Sequence, residues 1–382
     1  TPEQAALFSV LHHPLVVLTG GPGTGKTYTV SALVQSLRAA GVSFALAAPT
    51  GKAARRMADV AKTEAYTVHR LLGYRPDAGF TYGPERPLPY KVVIVDESSM
   101  LDIYLAHALI QAIRPGATLL LVGDVDQLPP VGPGQPFADL IRLGAPAVRL
   151  TVVQRQAQGN PIVRAAHQVN AGNPPEFGDA EALTFTPLDD PEAVVRLALS
   201  IQDRYGALPQ VLTPMRRGPL GTRELNARLK AAVNPGSGPS VPVADGAVAH
   251  VGDLLIQTRN NYDIGLMNGE QGTVEAIDPE AQVLYLNTAQ GLVRVPVGFA
   301  KDLALAYAIT VHKSQGSEWR HVVLVLHTSH YVMLTREMVY TGLTRARETC
   351  HVVGDVRALA IAASRRGARR ETYMGLMEVR HG

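Results

Sequence analysis

A single cysteine, Cys350, occurs in 382 residues, so neither an internal disulfide nor a cysteine-rich metal site can form, which agrees with a reducing compartment. No apolar run approaches the roughly 20 residues that span a bilayer, and no signal peptide opens the chain. A soluble, cytoplasmic protein with no membrane partner is therefore expected. Sequence repeats are absent, and low complexity is confined to a Pro/Gly/Ser linker at 234–242. The formal net charge of +3 would suit a polyanionic partner without demanding one. The chain starts at Thr1, without Met, and runs straight into a motif, which leaves room for a missing N-terminal portion. Against these absences stands a 46% apolar content and a length beyond what one core serves, so two large domains plus a smaller insertion are expected.

The most specific signal is Gly20-Gly21-Pro22-Gly23-Thr24-Gly25-Lys26-Thr27. It follows the apolar run 15–18 and precedes a helix-forming stretch, 28–40. Glycines in such a loop let backbone N–H groups wrap an anion, and the helix N-terminus adds its positive dipole end. The pattern assigns Gly21, Pro22, Gly23, Thr24 and Gly25 to a triphosphate, Lys26 to its β- and γ-phosphates and Thr27 to Mg²⁺. ATP and Mg²⁺ are the expected cofactors.

Apolar runs at 15–18, 44–48, 92–95, 119–122 and 148–150 alternate with amphipathic or Ala-rich stretches, the pattern of a parallel, doubly wound sheet. Four of them end in polar or glycine residues, so the motifs share the carboxyl edge where ligands sit in such sheets. A Pro/Gly/Tyr-rich segment at 74–90 reads as a β-hairpin excursion. A second α/β set begins near Leu150, with buried strands at 211–213 and 322–326 and a helix at 224–232. It is interrupted at 235–304 by short strands between Gly/Pro turns (253–258, 272–277, 283–287, 291–295), an antiparallel pattern suited to a small barrel.

The strand at 92–95 delivers Asp96 and Glu97 to the sheet edge. Asp96 is placed to hold Mg²⁺ and Glu97 to polarise the water that attacks the γ-phosphate. The next strand ends in Gly123-Asp124-Val125-Asp126-Gln127, setting the Gln127 amide near the γ-phosphate or that water.

With these segments the chain resembles the superfamily 1 DNA helicases, and within them the RecD-like members of the 5′-to-3′ branch. Thr1-Pro2-Glu3-Gln4 resembles the block whose glutamine, here Gln4, reads adenine. Ala48-Pro49-Thr50-Gly51-Lys52 is similar to the first single-strand contact motif, and Thr67-Val68-His69-Arg70 to the next. Val153-Gln154-Arg155-Gln156 resembles the motif whose arginine reaches the γ-phosphate from the second lobe. Thr310-Val311-His312-Lys313-Ser314-Gln315-Gly316-Ser317-Glu318-Trp319 and Tyr340-Thr341-Gly342-Leu343-Thr344-Arg345-Ala346-Arg347 match the last two motifs.

The resemblance implies an α/β fold of two RecA-like doubly wound parallel-sheet domains, with a β-hairpin insertion in the first and an SH3-like β-barrel insertion in the second. Expected boundaries are 1–147 for the first motor domain, with a pin at about 74–90, then 148–234 and 305–382 for the second, and 235–304 for the barrel. Catalytic roles fall to Lys26, Asp96, Glu97, Gln127, Arg155 and Arg345, with Arg347 left open. Nucleotide contacts fall to Gln4, the phosphate loop and Glu318, and metal contacts to Thr27 and Asp96. Pro49, Thr50, Gly51, Lys52, Thr67, His69, Thr310, His312, Ser314 and Gln315 are the expected DNA contacts, since a motor indifferent to sequence holds phosphates and stacks bases. Phe80 and Tyr82 are candidate wedge residues, and Tyr307 and Trp319 read as core. The implied activity is an ATP-dependent helicase that translocates on single-stranded DNA 5′ to 3′, a monomeric motor taking single strands and 5′-tailed duplexes. The alternatives are a nucleotide-gated DNA clamp or translocase without productive unwinding, and a small-molecule kinase, against which two trans-lobe arginines speak.

Overall fold

A computed structural model describes residues 2–75, 77–152, 159–178, 181–368 and 370. The chain divides into two compact units, residues 1–163 with 367–382, and residues 164–366. No helix among the described residues is long and apolar enough to cross a membrane.

The first unit is built on β1 (Leu15–Gly20), β2 (Phe44–Ala48), β3 (Tyr66–Thr67), β4 (Val92–Val95), β5 (Thr118–Gly123) and β6 (Ala147–Leu150). These six strands pair in parallel in the order β3-β2-β4-β5-β1-β6. Their apolar side chains alternate between two separate cores. Val17, Val93, Val95, Leu119 and Leu121 enter one, while Val16, Leu18, Ile94, Leu120 and Val122 enter the other. A period of two with both faces covered is why the strands read as unbroken apolar runs. The helix Lys26–Ala39 covers one face through Val30, Leu33 and Val34, and Ile103–Gln111 covers the other through Ala106 and Leu109.

The two compact units differ from the expected boundaries at two places. The cut at 147 falls at the start of β6, which pairs with β1 and so belongs to the first sheet. Among the described residues after 366, Arg370 lies with the first unit, donating to the Gly134 carbonyl (3.1 Å). Among the described residues of 74–90 the chain forms turns and bends, with an antiparallel bridge between Arg75 and Gly79.

The second unit starts with β7 (Leu183–Pro187) and β8 (Gln210–Thr213). The insertion follows: β9 (Ser240–Pro242) and β10 (Val248–His250) pair antiparallel. Next come β11 (Leu254–Gln257), β12 (Gln271–Asp278), β13 (Val283–Thr288), β14 (Gly291–Pro296) and β15 (Leu303–Leu305), an antiparallel sheet in the order β14-β13-β12-β11-β15. A register shift between Val274 and Ala276 adds the local bend that curls such a sheet. The chain then returns through β16 (Ala308–Thr310), β17 (Trp319–Leu326) and β18 (Ala346–Gly354), completing a parallel sheet in the order β16-β8-β17-β18-β7.

The insertion is fused to this sheet. Val211, Val323, Val325 and Leu225 share one core with Leu255, Val274, Leu284 and Val295. Tyr307, buried as expected of a core residue, and the half-buried Trp319 are part of the join. The Tyr307 hydroxyl donates to Asp253 Oδ1 (2.7 Å), and Trp319 Nε1 donates to Gln271 Oε1 (3.2 Å), whose amide in turn donates to Gln210 Oε1 (2.9 Å). Asp253 is fully buried. It also pairs with Lys230 and accepts from Asn234 Nδ2 (2.9 Å) and the His250 N–H (2.7 Å). Burial, then the bond to Asp253, pushes the Tyr307 hydroxyl above its ordinary pKa. Removing one partner of a buried pair strands the other charge, so Asp253→Ala should cost the second unit about 3–5 kcal/mol, read by denaturant unfolding. A loss below about 1 kcal/mol would show that the apolar core alone holds the barrel.

Candidate active site

The loop leaving β1 turns through Gly23 (φ 72°) and Gly25 (φ 86°), left-handed positions where a Cβ is strained. A Cβ on Gly20 would lie 2.7 Å from Thr24 Oγ1 and 2.9 Å from the Leu150 carbonyl, so the loop closes tightly on β6. Thr24 Oγ1 donates to Gly21 O (2.8 Å). The Lys26 ammonium folds back on the carbonyls of Gly20 and Gly21, the latter at 3.1 Å. No side chain caps the helix that starts at Lys26, so the N–H groups of its first turn face the loop's hollow with no side-chain acceptor. This is a cradle shaped for a polyphosphate. Gln4 Nε2 donates to Thr29 Oγ1 (3.0 Å), which donates to Gly25 O (2.9 Å). Gln4 is thereby tied to the base of the cradle.

Asp96, at the end of β4, is half-buried. Burial pushes its carboxyl above the ordinary range, opposed by the bond from the Glu97 N–H (2.9 Å) and by the charges of Lys26 and Arg56. Thus β1 and β4 bring Lys26 and Asp96 together; the Asp96 carboxylate and the hydroxyl of Thr27, next to Lys26 in the chain, are oxygen donors of the kind a hard divalent cation takes. Glu97 takes a left-handed backbone (φ 51°), costing roughly 1–2 kcal/mol for a residue with a Cβ. Such an outlier is retained where a side chain must be aimed. Gln127 is 8% exposed; Nε2 reaches Asp124 Oδ2 (3.4 Å), while its Oε1 is buried with no hydrogen-bond partner. A buried acceptor of this kind costs free energy until something donates to it.

The same edge carries the first set of expected strand-contact residues. Pro49 follows β2, and Thr50 caps the helix Gly51–Ala61 by accepting from the Ala53 N–H (3.3 Å), with Lys52 in its first turn. Thr67 ends β3 and caps Val68–Leu71 by accepting from the Arg70 N–H (3.2 Å), with His69 in that turn.

In the second unit Thr310 ends β16 and accepts from the Lys313 N–H (3.3 Å), starting the tight turn His312–Ser314. Ser314 and Gln315, also expected strand contacts, end and follow this turn. Ser314 is wholly buried with its hydroxyl donating to Val311 O (2.7 Å), and Gln315 is 4% exposed. A polar turn residue reads as surface in sequence, but here both fill the inside of the turn. Thr310, Lys313, Arg216, Thr258 and Asp245 line a cavity of about 250 Å³. Burial, then Arg216, depresses the Lys313 pKa, with Asp245 opposing. Asp245 bridges Arg216 (2.6 Å) and Arg223 (2.9 Å), a convergence the sequence did not announce because three separate segments supply it.

Arg345 is 3% exposed. Its Nε donates to Thr341 O, Nη1 to Ser317 O and Nη2 to Thr344 Oγ1, each at 3.1 Å. All three are neutral oxygens, which orient the guanidinium without neutralising it. Glu318, expected at the nucleotide, pairs with Arg347 (3.1 Å). Arg155 lies outside the described residues. Sequence reasoning passed over Arg56 as a neighbour of Asp96; the signal was its place one helical turn after Lys52, in the helix that follows β2, the strand beside β4.

A phosphate cradle and an acidic strand end at the carboxyl edge of a doubly wound parallel sheet define a P-loop nucleotide-binding protein. Family models agree: an AAA domain matches residues 3–133, an ATP-dependent RecD-like DNA helicase SH3 domain matches 225–287, and a UvrD-like helicase C-terminal domain matches 305–353. The chain is 45% identical over 374 residues to the ATP-dependent RecD2 DNA helicase of Deinococcus radiodurans, covering 97% of this chain and 51% of that protein. It is 34% identical over 422 residues to the RecBCD enzyme subunit RecD of Mycobacterium tuberculosis, covering 96% of this chain and 71% of the relative. The chain thus spans about half the length of the first of these relatives. The crystal structure of Pif1 helicase from Bacteroides in complex with ADP-AlF3 and ssDNA is similar in fold (TM-score 0.59, 19% identity, 100% of this chain and 96% of that one), as is that of Pif1 helicase from Candida albicans (TM-score 0.57, 20% identity, 100% and 98%). The chain belongs to the RecD-like family of superfamily 1 DNA helicases, with two RecA-like sheets and an SH3-like insertion in the second.

The raised carboxyl of Asp96 has a consequence for stability. Because its folded pKa lies above its unfolded one, ionisation costs stability, and the cost is fully present above the folded pKa. Asp96→Asn should therefore stabilise the nucleotide-free chain at neutral pH by on the order of 1 kcal/mol, read as a higher thermal midpoint. The gain should fade as pH falls through the raised pKa towards 3.8, the ordinary value. A destabilised Asp96→Asn protein at pH 7 would contradict the assignment.

Proposed function

We propose that this chain is the motor of an ATP-dependent DNA helicase that moves 5′ to 3′ along single-stranded DNA, acting as a single copy in the cytoplasm. The observation that carries this reading is the cradle itself: a bare helix N-terminus, the Lys26 ammonium and the Asp96 carboxylate at one sheet edge, in a chain whose relatives are named as helicases.

In this reading the N–H groups after Gly23 and the Lys26 ammonium hold the β- and γ-phosphates of ATP, and Gln4 holds the adenine. Thr27 and Asp96 would hold Mg²⁺, which when bound supplies Lewis-acid stabilisation of the phosphate oxygens. Glu97 takes the proton of the attacking water, and Gln127 offers its amide to that water or to the γ-phosphate. Arg345 on the second unit, together with Arg155, supplies cationic stabilisation, and Glu318 completes the nucleotide contacts while its pairing with Arg347 orients it. The release of the γ-phosphate then releases those arginines, and the units part. Thr50, Gly51, Lys52, Thr67 and His69 on the first unit, and Thr310 and His312 on the second, grip the phosphates of the strand and pass it along. Single strands and 5′-tailed duplexes are the partners this cycle requires.

A second reading, a nucleotide-gated clamp or translocase that hydrolyses ATP without productive unwinding, draws support from the single bridge among the described residues of the 74–90 excursion. Deleting residues 79–83 separates the two, since a splitting pin would lose strand displacement while keeping DNA-stimulated turnover.

The direct test is ATP turnover with and without single-stranded DNA, together with unwinding of 5′-tailed and 3′-tailed duplexes. Turnover should depend on DNA, and only the 5′-tailed substrate should open. Lys26→Ala should abolish turnover. Arg345→Ala should lower it by roughly 10³-fold with nucleotide affinity nearly unchanged; full activity would remove Arg345 from the mechanism, and unwinding of only the 3′-tailed duplex would refute the direction.

A further inference from the structure

Three rings in the first unit have no task in that cycle as rings. His69 meets Tyr74 edge-on with centroids 5.4 Å apart and lies 6.0 Å from Phe80, and Tyr74 and Phe80 are 5.2 Å apart. Tyr82, two residues on, turns inward and packs on the core, whereas Tyr74 and Phe80 remain 38% and 36% exposed. The cluster is held without being covered. The Tyr74 N–H donates to His69 O (2.9 Å), the Thr81 N–H to Leu72 O (3.0 Å), and Thr81 Oγ1 to Gly73 O (2.8 Å). Gly73 is left-handed (φ 64°), and a Cβ there would lie 2.9 Å from Thr81, so the turn beneath the rings is closely fitted. Burial keeps the His69 pKa below its ordinary value, which leaves a neutral imidazole at neutral pH. His69 stands in the turn that Thr67 caps, and Arg70 and Arg75, the chain neighbours of His69 and Tyr74, are exposed.

An exposed aromatic cluster fixed by backbone bonds, flanked by cations and set next to phosphate-sized caps matches an unstacked nucleobase, whose flat face is sequence-tolerant in its stacking. The geometry points to a base-stacking ledge: Tyr74 and Phe80, backed by His69, take one or two unpaired bases of a single strand. The excursion then grips the strand through its bases, and Tyr82 serves as its anchor instead of as a wedge. This inference rests on the proposed single-strand motor.

The test is binding of the full chain, by fluorescence anisotropy, to labelled oligo-dT and to an abasic strand of equal length. Phe80→Ala and Tyr74→Ala should each weaken oligo-dT binding roughly 5–20-fold, leave abasic-strand binding unchanged, and leave the salt dependence as in the parent, because no phosphate contact is removed. Phe80→Trp should restore affinity. Equal weakening on both strands, or unchanged oligo-dT binding, overturns the ledge alone. A parent chain that binds neither strand overturns the motor reading and the ledge with it.

Discussion

An ammonium group folded onto two carbonyls at an uncapped helix N-terminus is an arrangement waiting for negative charge, and the rest of the first unit is organised around it. The donors at the N-terminus and Lys26 are cationic or electropositive, Asp96 is held partly out of water beside them, and Gln127 keeps an acceptor buried without a donor. Each of these is costly in isolation. In the proposed function a triphosphate, a divalent cation and an ordered water would relieve them at once, leaving binding energy available to change what the site does next.

The second unit shows a different economy. Its parallel sheet and its antiparallel insertion share one core, cross-linked by Asp253 and by the chain of amides from Trp319 to Gln210. The barrel is therefore part of a stiff body with the turn that follows β16. Arg345 sits in that body with every nitrogen committed to a neutral oxygen. A guanidinium fixed this way needs no reorganisation when an anion arrives, which is how preorganised charge lowers a barrier.

How much of this the sequence disclosed depended on whether a feature was local. Runs such as Val92–Val95 were legible because burial on both faces leaves no polar residue to interrupt them, and the barrel strands were legible because Gly/Pro turns bracket them. Edge strands were harder: Ala147–Leu150 exposes Ala147 and Arg149, and it was split from its sheet, while Tyr66–Thr67 was too short to register as a strand. The phosphate loop and the Asp96-Glu97 pair were contiguous and so were read directly. Arg56 beside Asp96, Asp245 between two arginines, and the Asp253 join depend on tertiary neighbours that periodicity does not encode. The burial of Ser314 and Gln315 is likewise illegible, because a polar residue in a turn is usually exposed and here the turn folds over them.

The account stands or falls on whether the state of the bound nucleotide sets the arrangement of the two units. Tyr104→Cys and Val332→Cys offer label sites 73% and 72% exposed, one per unit. The native Cys350 is fully buried, and burial pushes its thiol up to about 12, so it stays unlabelled. Spin-label distance distributions between the two sites, with single-stranded DNA present, should occupy one position with a non-hydrolysable triphosphate and another with the diphosphate. Identical distributions in the two nucleotide states would contradict the motor outright.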